Sequence, residues 1–563
     1  MPRTDAHSDP LACPGHAHLV GANGAGMRAL ADVLAAAGWH LTGSDAGRPF
    51  PMPPAMLPKG AARLDSVDIP AVLQADRHWE FARRVSRQRD LTPLAPAGEG
   101  TSTRQHSSGQ WDVLIHSAAV PVDDAELQRA RLSGVPVLSY PEMLGRISRF
   151  RPAIAVAGTH GKSSTVGMTA DALRASGLDP TVIGGAAPLG CASGGRLGGD
   201  ALLLIEACEY RRHFLNLRPR VLVLLPVEPD HFDCFPDEQS LEDAFRRFIA
   251  SLPDDGLLIA AADCPRAVRL AADGGKPTLT FGERPEADIR ARIEGEYRGR
   301  HTFAAWYRDE LLGNASLSVP GRHNVQNALA ALAAVAGVAH ASSEWWIEGA
   351  GRGGRTPVAP GEDAATAGPR LASELRPALD ALARFPGLHR RLEVRASRGG
   401  VTWIDDYAHH PTELRASLDA VRRMYPAARL TCVFQPHRAE RTARLFHEIV
   451  NALRLADRVA VAEIFRAREG PAVAGEVDAA DLAGALRRSG GVDTAPVHRA
   501  GAIIDWLIRS LRPGDVLLTA GAGDVDRIGL GWCRLSDGPA GRNLGDYGVH
   551  SSPETEVVRP CRG

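Results

Sequence analysis

The sequence predicts an α/β fold of three domains, in which two Rossmann-like units flank a central domain with a P-loop-type parallel sheet. The first observation is length, because 563 residues exceed what one hydrophobic core usually supports. The second is the alternation of short apolar runs with helix-like segments, which is typical of parallel sheets covered by helices. The third is that two of these runs end in glycine-rich turns. We therefore expect domains at residues 14–148, 149–384 and 385–535, and a flexible tail at 536–563.

Composition narrows the class of protein. Hydrophobic residues make up 44% and charged residues 23%, and the net charge of -1 gives no general attraction to nucleic acid or an anionic membrane. The eight cysteines are scattered without a Cys-x-x-Cys pair or a zinc spacing, which favours reduced thiols. The first residues are polar, and no apolar run has the length of a membrane span. We expect a cytoplasmic protein, monomer or homodimer, with neither nucleic acid nor membrane as partner.

The first domain opens with a short strand that ends in the glycine turn GANGAGM and continues into an Ala/Leu-rich helix. Gly21, Gly24 and Gly26 form a GxxGxG pattern, whose first gap is one residue longer than in the usual dinucleotide fingerprint. Such a turn at a helix N terminus either binds a diphosphate or serves only tight packing of strand on helix, and the spacing leaves both interpretations open. Ser44 and Asp45 lie about twenty residues later, where a second strand presents groups to a ribose or uracil.

Residues from about 48 to 110 interrupt the alternation. They are Pro-rich first, then Arg-rich, and end in Ser, Gly and Thr, which indicates a partly disordered insertion. Regular alternation resumes at Asp112 with DVLIHSAAV, followed by a helix over 124–133 and a strand at Val135. These elements complete the first domain.

The central domain opens with IAVAGTHGKSST at residues 154–165, where a strand ends in a glycine-bounded turn. Lys162 in this turn can neutralise the outer phosphates of a nucleotide, and the Ser163 hydroxyl can ligate Mg²⁺. A helix over about 164–174 adds its positive N-terminal dipole. Val156 stands where the strict Walker pattern has glycine, so the motif is matched in part. The alternative is a glycine-rich turn with an exposed lysine and no ligand.

Two continuous apolar runs of the central domain end in acidic residues and histidine, as buried parallel strands do when their C-terminal ends carry functional groups. Glu206 follows the first run and is a candidate Mg²⁺ ligand, while Glu209 in the same turn is a less certain one. His231 follows the second run in the segment EPDHFD. Their structural alternatives are a satisfied strand-end carboxylate and a structural histidine.

A helix-like segment that holds Asn324 and Asn327 follows these strands. Residues from about 342 to 370 are rich in Gly, Ala and Pro, which indicates a surface insertion or linker.

The third domain begins at about Phe385 and carries VTWIDDYAHHP at the end of a strand, before a helix over 411–424. Asp406 and His410 in this segment belong to a group of two aspartates and two histidines that resembles a metal cluster. We favour a nucleotide contact over a metal site, because the spacing is not one that selects zinc.

A second polar cluster, QPHRAER, follows the next buried strand of this domain. His437, Arg438 and Arg441 can hold a small carboxylate here, because guanidinium forks match carboxylate geometry. The alternative is ordinary surface arginine, which is common in this Arg-rich chain.

The order of the motifs identifies a family. GANGAGM, GTHGKSS, EACE, EPDH, GRHNVQNA, HRRLE, DDYAHHPTE, QPHR and GAGD occur as in the Mur ligases, and the chain resembles that family except in its insertions and tails. The resemblance implies one domain each for a UDP-sugar, ATP and an amino acid. It is strongest to the member that acts on UDP-N-acetylmuramate and L-alanine in peptidoglycan precursor synthesis, with ATP and Mg²⁺. There ATP phosphorylates the sugar-linked carboxylate, and the amino group attacks the acyl phosphate, releasing ADP and phosphate.

The resemblance also implies roles for the residues at matching positions. The catalytic residues are Lys162, Glu206, His231 and Arg391, and the Mg²⁺ ligands are Ser163, Glu206 and His231. The ATP-binding residues are Gly158, Thr159, His160, Gly161, Lys162, Ser163, Ser164, Asn324, Asn327 and Asp406. The UDP-sugar-binding residues are Gly21, Gly24, Ala25, Gly26, Met27, Ser44, Asp45 and Ser117. The amino-acid-binding residues are His410, His437, Arg438 and Arg441.

Some positions depart from the family pattern, and other functions stay open. Asn23 stands where glycine is usual, Pro226 where asparagine is usual, and EACEY where EADES is common. One alternative is a murein-peptide recycling ligase that joins a tripeptide to the same nucleotide sugar, although QPHR favours alanine. Another is a catalytically silent UDP-sugar-binding homologue, which the intact Lys162 and His231 disfavour. A folylpolyglutamate-type ligase is disfavoured by the complete first domain.

Overall fold

The computed structural model describes residues 9–45, 78–81, 111–340 and 364–536, except 468, 470, 471, 473 and 474. Within this part of the chain the strands form three separate sheets, each at the centre of one domain and covered by helices. The predicted α/β fold is therefore confirmed. The tail beyond 536 and most of the two predicted insertions lie outside the described residues.

The first sheet is mostly parallel. Its strands are β1 (His16–Val20), β2 (His40–Ser44), β3 (His78–Phe81), β4 (Val113–His116) and β5 (Val137–Ser139). Its helices are α1 (Ala25–Ala36), α2 (Ala125–Leu132) and α3 (Tyr140–Phe150). The strand order is β3-β2-β1-β4-β5, and only β3 runs antiparallel to its neighbour. The order reverses between β1 and β4, so the glycine turn after β1 lies at the switch point where such sheets bind ligands.

Two local features of this domain differ from the sequence prediction. Helix α1 begins at Ala25, inside the segment GANGAGM that was predicted as a turn, because Gly24 has extended backbone (φ -61°, ψ 141°) and occupies the N-cap position. Strand β3 lies inside the predicted insertion, where the pattern of apolar residues did not indicate it.

The central sheet has ten strands in the order β15-β14-β13-β12-β11-β10-β6-β9-β7-β8. Its strands are β6 (Ala153–Ala157), β7 (Thr181–Ile183), β8 (Gly195–Arg196), β9 (Leu203–Glu206), β10 (Val221–Leu224), β11 (Leu257–Ala261), β12 (Thr278–Gly282), β13 (Ile289–Tyr297), β14 (Arg300–Tyr307) and β15 (Glu310–Ser316). Its helices are α4 (Lys162–Ala175), α5 (Glu238–Ala250), α6 (Pro265–Gly274), α7 (Arg322–His340) and α8 (Ala364–Ala383), with a 3₁₀ segment at Tyr210–Asn216.

The middle of this sheet is parallel, and both ends are antiparallel. Strands β6, β9 and β10, which are buried along their length, lie side by side as their continuous apolar sequences predict. The hairpin strands β13–β15 were not predicted, because polar residues interrupt the apolar pattern in all three strands. Helix α8 begins inside the region predicted as a linker.

The third sheet has the order β16-β17-β21-β18-β19-β20 and is parallel except at β16. Its strands are β16 (Glu393–Arg398), β17 (Val401–Asp406), β18 (Leu430–Phe434), β19 (Arg458–Val461), β20 (Asp493–Thr494) and β21 (Val516–Ala520). Its helices are α9 (Pro411–Met424), α10 (Ala439–Arg444), α11 (Phe446–Leu453), α12 (Ala479–Ser489), α13 (Ala500–Ser510) and α14 (Asp526–Leu535).

Helix α9 has the predicted bounds because its start is encoded locally. His410 caps the helix, and Glu413 returns a hydrogen bond to the cap backbone, which completes a capping box with Pro411 at the first helical position. After strand β18, helices α10 and α11 follow each other closely and are separated only at Leu445.

Packing joins the first two domains closely. One hydrophobic cluster runs without a break from β1 and α1 into the central sheet, whereas the third domain has its own two clusters, one on each face of its sheet. The third domain therefore contacts the others mainly through polar groups near the ends of its strands. Among the described helices, none is both long and apolar enough to cross a bilayer.

Candidate active site

The nucleotide turn between β6 and α4 has a geometry that requires its two glycines. Gly158 has φ +132°, and a Cβ there would lie 2.7 Å from the Cβ of Leu225. Gly161 has φ +82°, and a Cβ there would collide with Oδ1 of Asn327. Val156, the departure from the Walker pattern, is simply a buried residue of β6. The turn begins two residues later, and α4 begins at Lys162 rather than the predicted Ser164.

The segment after β10, from Pro226 to Glu228, is hydrogen-bonded to this turn. The Thr159 backbone N–H donates to the carbonyl of Pro226 at 2.9 Å, and its hydroxyl donates to the carbonyl of Glu228 at 3.0 Å. The Glu228 N–H donates back to the same hydroxyl at 2.9 Å. Pro226 contributes only its carbonyl oxygen to this contact, so the absence of an N–H group on proline does not weaken it.

Lys162 lies at the centre of a buried charge cluster. Its Nζ is 2.9 Å from Oε2 of Glu209 and donates to the carbonyls of Gly158 and Thr159 at 2.5 and 3.1 Å. Burial by itself lowers the pKa of Lys162, but the charge of Glu209 outweighs it and raises the pKa to about 12. Burial likewise opposes the ionisation of Glu209, but Lys162 and His231 hold its pKa at about 2. Both side chains therefore carry full charges at neutral pH.

The two candidate glutamates make different contacts in the structure. Glu209, which was the less certain candidate, bridges Lys162 and Nε2 of His231, the latter at 3.5 Å. Glu206, at the end of β9, accepts a hydrogen bond from the Gly185 N–H at 2.7 Å. Its strand pairs directly with β6, so both carboxylates lie beside the nucleotide turn. Spacing in the sequence did not indicate which of them meets the lysine.

Helix α7 supports the turn from the other side. Asn327 Nδ2 donates to Oδ1 of Asn324 at 3.0 Å, and the Thr165 hydroxyl donates to Oδ1 of Asn327 at 3.3 Å. Ser163 is buried and Ser164 is half-buried at the start of α4. The predicted nucleotide-binding residues of this domain are thus brought together.

The third domain meets the turn through His160. Its Nδ1 lies 3.2 Å from Glu413 of the third domain, and its Nε2 lies 3.4 Å from Glu228 of the central domain. Glu228 also accepts a hydrogen bond from the Thr412 hydroxyl at 2.7 Å. Burial alone lowers the pKa of His160, but the two carboxylates raise it to about 9. His160 is therefore an imidazolium that joins the two domains.

His410 lies beside this contact, and its ring centroid is 4.6 Å from that of His160. His160, Glu228 and His410 present ligand atoms within 4.8 Å of one another, as a metal site would. However, Nδ1 of His410 accepts the Thr412 backbone N–H as the cap of α9, and both nitrogens of His160 face carboxylates. A protonated His160 can donate to both carboxylates, whereas Nε2 of His410 is buried without a hydrogen-bond partner among the described residues.

Asp406 ends β17 and is buried. It accepts a hydrogen bond from the Ser417 hydroxyl at 2.5 Å, and burial raises its pKa to about 6 against the opposing charge of Arg391. Arg391 lies over the ring of Tyr407, with its guanidinium carbon 5.3 Å from the ring centroid. The neighbouring Arg390 makes the direct ion pair, with Asp405 at 2.9 Å.

The QPHRAER cluster contacts the central domain. Arg441 lies 2.7 Å from Asp230, and Arg438 lies 2.6 Å from Asp233. Nδ1 of His437 is 3.3 Å from Arg441, and burial together with nearby cationic groups lowers the pKa of His437 to about 2. The two arginines thus converge on the carboxylates that flank His231. The sequence indicated the arginines but not these partners.

The predicted UDP-sugar-binding residues of the first domain lie at the C-terminal ends of β1, β2 and β4. Gly21 has φ +74°, and a Cβ there would lie 2.9 Å from the Cβ of Ser117. The N–H of Asn23 donates to Asp45 at 2.7 Å, and the Ser44 hydroxyl donates to Glu126 at 2.6 Å. Within the described residues, no side chain caps the N terminus of α1, so its N–H groups face the turn.

The remaining residues of the glycine turn are packed against the domain. Gly26 has no room for a side chain, since a Cβ would lie 2.8 Å from the hydroxyl of Tyr140. Met27 is buried, and Ala25 starts the helix. Glu126, which the sequence analysis did not single out, also lies 2.7 Å from Nε2 of His18. Nothing in its local sequence distinguishes it from a surface glutamate.

Comparison with known proteins shows that the chain is similar to known enzymes. The model of the Mur ligase middle domain matches residues 156–335, and that described as "Mur ligase, glutamate ligase domain" matches residues 390–523. The UDP-N-acetylmuramate–L-alanine ligase of Sorangium cellulosum is 33% identical over 518 residues, covering 91% of this chain and 94% of the relative. The enzyme of that name from Oleidesulfovibrio alaskensis is 34% identical over 514 residues, covering 91% and 97%.

Solved structures share the fold. The UDP-N-acetylmuramate–alanine ligase of Thermotoga maritima superposes with a TM-score of 0.64 at 22% identity, covering 92% of this chain and 98% of the other. A murein peptide ligase from Psychrobacter arcticus superposes with a TM-score of 0.57 at 21% identity and the same coverage. Both have the architecture described above.

Proposed function

Because the chain belongs to the Mur ligase family, we propose that it is an ATP-dependent ligase that joins L-alanine to the carboxylate of UDP-N-acetylmuramate, in peptidoglycan precursor synthesis. The observation that carries this proposal is the 31–34% identity to enzymes named for that reaction, along more than nine-tenths of both chains. The polar groups of all three domains support it, since they line the C-terminal ends of the strands.

ATP is held by the nucleotide turn in this proposal. The backbone N–H groups of the turn other than that of Thr159, which is bonded to Pro226, surround the phosphates together with the cation of Lys162, and Asn324 and Asn327 support the turn. Asp406 and Arg391 reach the nucleotide from the third domain. Glu209 keeps Lys162 charged before the phosphates arrive, because a buried lysine without a carboxylate partner tends to lose its proton.

Mg²⁺ fits the same region. In this proposal Ser163, Glu206 and His231 would hold Mg²⁺, and the hydroxyl and the carboxylate among them are the hard oxygen donors that Mg²⁺ prefers. When bound, Mg²⁺ disperses the negative charge of the phosphates. Glu209 is also within reach of His231 and orients its ring.

The two chemical steps follow from what these groups can stabilise. The sugar carboxylate attacks the γ-phosphorus of ATP, which forms an acyl phosphate and releases ADP. The amine of alanine then attacks the acyl carbon, loses a proton and expels inorganic phosphate, leaving an amide. Lys162 and the helix dipole of α4 stabilise the charge that develops on the phosphoryl group. Contact between the second and third domains excludes the water that would hydrolyse the acyl phosphate.

The nucleotide sugar binds to the first domain in this proposal, and the amino acid binds to the third. The N terminus of α1, with Ser44, Asp45 and Ser117 beside it, binds the UDP group. Arg438 and Arg441, with His437 and His410, bind the alanine carboxylate. In this structure those guanidinium groups pair with Asp233 and Asp230, so the substrate carboxylate enters a site already built for carboxylates. We propose a cytoplasmic enzyme, monomeric or homodimeric.

A phosphate-release assay tests this function. We expect ATP turnover only when UDP-N-acetylmuramate and L-alanine are both present, and a loss of at least about 100-fold in kcat for Lys162→Ala. Lys276→Ala, which removes a lysine paired with Asp254 away from the site, is the matched control. Turnover with a tripeptide but not alanine would assign the chain to murein-peptide recycling instead. Binding of the nucleotide sugar without any phosphate release would indicate a catalytically silent homologue.

A further inference from the structure

A cavity of about 690 Å³ opens at the edge of the central sheet opposite the nucleotide turn. Four of its ten lining residues are arginines, namely Arg149, Arg151, Arg218 and Arg220. The cavity lies at the N-terminal ends of β6 and β10, whereas the nucleotide turn follows the C-terminal end of β6. A strand rises about 3.3 Å per residue, so the two ends of this five-residue strand are roughly 13 Å apart.

The arginines meet because of the sequence that precedes two neighbouring strands. FRP precedes β6 and LRPR precedes β10, and these strands are parallel neighbours in register, with Ile154 opposite Val221. The N–H of Arg220 donates to the carbonyl of Ala153 at 2.9 Å, which continues the pairing to the mouth of the cavity. Parallel pairing thus places two Arg-Pro segments side by side.

Two of the four guanidinium groups have carboxylate partners. Nε of Arg151 lies 2.9 Å from Asp9, and Nη1 of Arg220 lies 3.2 Å from the exposed Asp255. These pairs neutralise two of the four charges at most.

The guanidinium groups of Arg218 and Arg149 have no carboxylate partner in the described part of the chain. Arg218 donates to the carbonyls of Leu215 and Leu217, at 3.0 and 2.7 Å, and forms no ion pair there. Arg149 is exposed in the last turn of α3 and forms no ion pair with a described carboxylate. The C-terminal dipole of α3 offsets about half a unit of charge. The cavity therefore retains a positive charge that its own described walls do not neutralise.

We propose that this cavity binds a small molecule that carries a di- or triphosphate group. Its volume falls within the range of small-molecule sites. Guanidinium forks match phosphate oxygens in a bidentate manner, and two forks without a carboxylate at one cavity suit a ligand with at least two negative charges. Phe150, which is 36% exposed, adds an apolar wall. The site is separate from the proposed substrate sites and does not depend on them.

Calorimetric titration with inorganic pyrophosphate, without divalent cations, tests the proposal in the full-length chain. Lys162→Ala serves as the background, because it removes the principal phosphate ligand of the nucleotide turn. We expect this protein to retain pyrophosphate binding, and Arg149→Ala with Arg218→Ala to weaken it at least tenfold. Arg292→Ala with Arg509→Ala, which removes two exposed arginines elsewhere, is the matched control and should leave binding unchanged.

The results of this titration distinguish binding in the cavity from binding elsewhere. Absence of binding in the Lys162→Ala background, or equal affinity of the Arg149/Arg218 and control variants, would overturn the proposal. Arg149→Gln with Arg218→Gln provides a second pair of variants if the alanine pair fails to fold. Tighter binding of ADP than of pyrophosphate would assign a nucleotide as the ligand, whereas equal or weaker binding would assign an inorganic polyphosphate.

Discussion

Arg441 in the third domain directs its guanidinium at one oxygen of Asp230 in the central domain, with Nε at 2.8 Å and Nη2 at 2.7 Å from Oδ1. Both side chains are at most 7% exposed. The His231 N–H donates to the same oxygen at 2.6 Å. The pair of Arg441 and Asp230 therefore links the QPHRAER cluster of the third domain to His231, which lies beside the nucleotide turn.

Asp230→Ala should destabilise the protein by about 3–5 kcal/mol, because it leaves the buried charge of Arg441 without a partner. Urea unfolding monitored by circular dichroism measures this loss. Asp493→Ala is the control, since its pair with Arg458 is 62% exposed on the aspartate side and should contribute under about 1 kcal/mol. Equal effects of the two substitutions would show that the Asp230 pair is solvated in solution.

The imidazolium of His160 predicts a pH dependence of stability. Its pKa is raised from 6.5 to about 9 in the folded protein, so its stabilising contribution is complete below about pH 6.5 and is lost as the pH rises through about 9. The difference in Tm between wild type and His160→Gln should be positive at pH 6 and should shrink steadily between pH 7 and 10. His447→Gln, at an exposed histidine, should show no such trend. A difference that stays constant with pH would contradict the charged state.

Substitutions of Glu206 and Glu209, the two glutamates near the nucleotide turn, should have different effects. Glu206→Gln should raise the Mg²⁺ concentration for half-maximal activity at least tenfold, because it removes a proposed metal ligand. Glu209→Gln should instead lower stability by a few kcal/mol, because Lys162 loses its buried counter-charge. Mg²⁺ titrations of phosphate release and thermal unfolding separate the effects, with Glu286→Gln, at an exposed glutamate, as control. Interchanged phenotypes would transfer the metal-ligand role to Glu209.

Gly161→Ala should reduce kcat at least tenfold, since its Cβ would collide with Asn327 and displace the phosphate-binding turn. Gly190→Ala provides a matched control, because Gly190 has a similar φ of +85° but no described atom within 4 Å of the position that a Cβ would take. Both substitutions strain the backbone by about 1 kcal/mol, but only the first should change ATP turnover. Similar activities of both variants would show that the turn tolerates the contact.

Features encoded within a few residues were predictable. The bounds of α9 follow from His410, Pro411 and Glu413, because a capping box depends on neighbours three residues apart. The nucleotide turn was located by its glycines, and buried strands β6, β9 and β10 by their continuous apolar sequences. The hairpin β13–β15 was missed because its strands are partly polar and its pairing is non-local.

The candidate site was predictable as a set of residues but not as a set of contacts. Lys162, His231 and the two arginines of QPHRAER were all indicated by motif. Glu413 was not singled out, although the capping box gave a signal at its position. Nothing in the local sequence indicated that it would face His160 from another domain.

The sequence by itself determined the α/β class, the strand ends that carry polar residues, and the order of motifs that places the chain among the Mur ligases. Tertiary structure alone decided that Glu209 rather than Glu206 meets Lys162, and that Asp230 meets Arg441 from 211 residues away. The physical reason is that apolar periodicity and capping act between near neighbours along the chain. Ion pairs depend instead on where separate strands end in space, and on burial that makes an unpartnered charge costly.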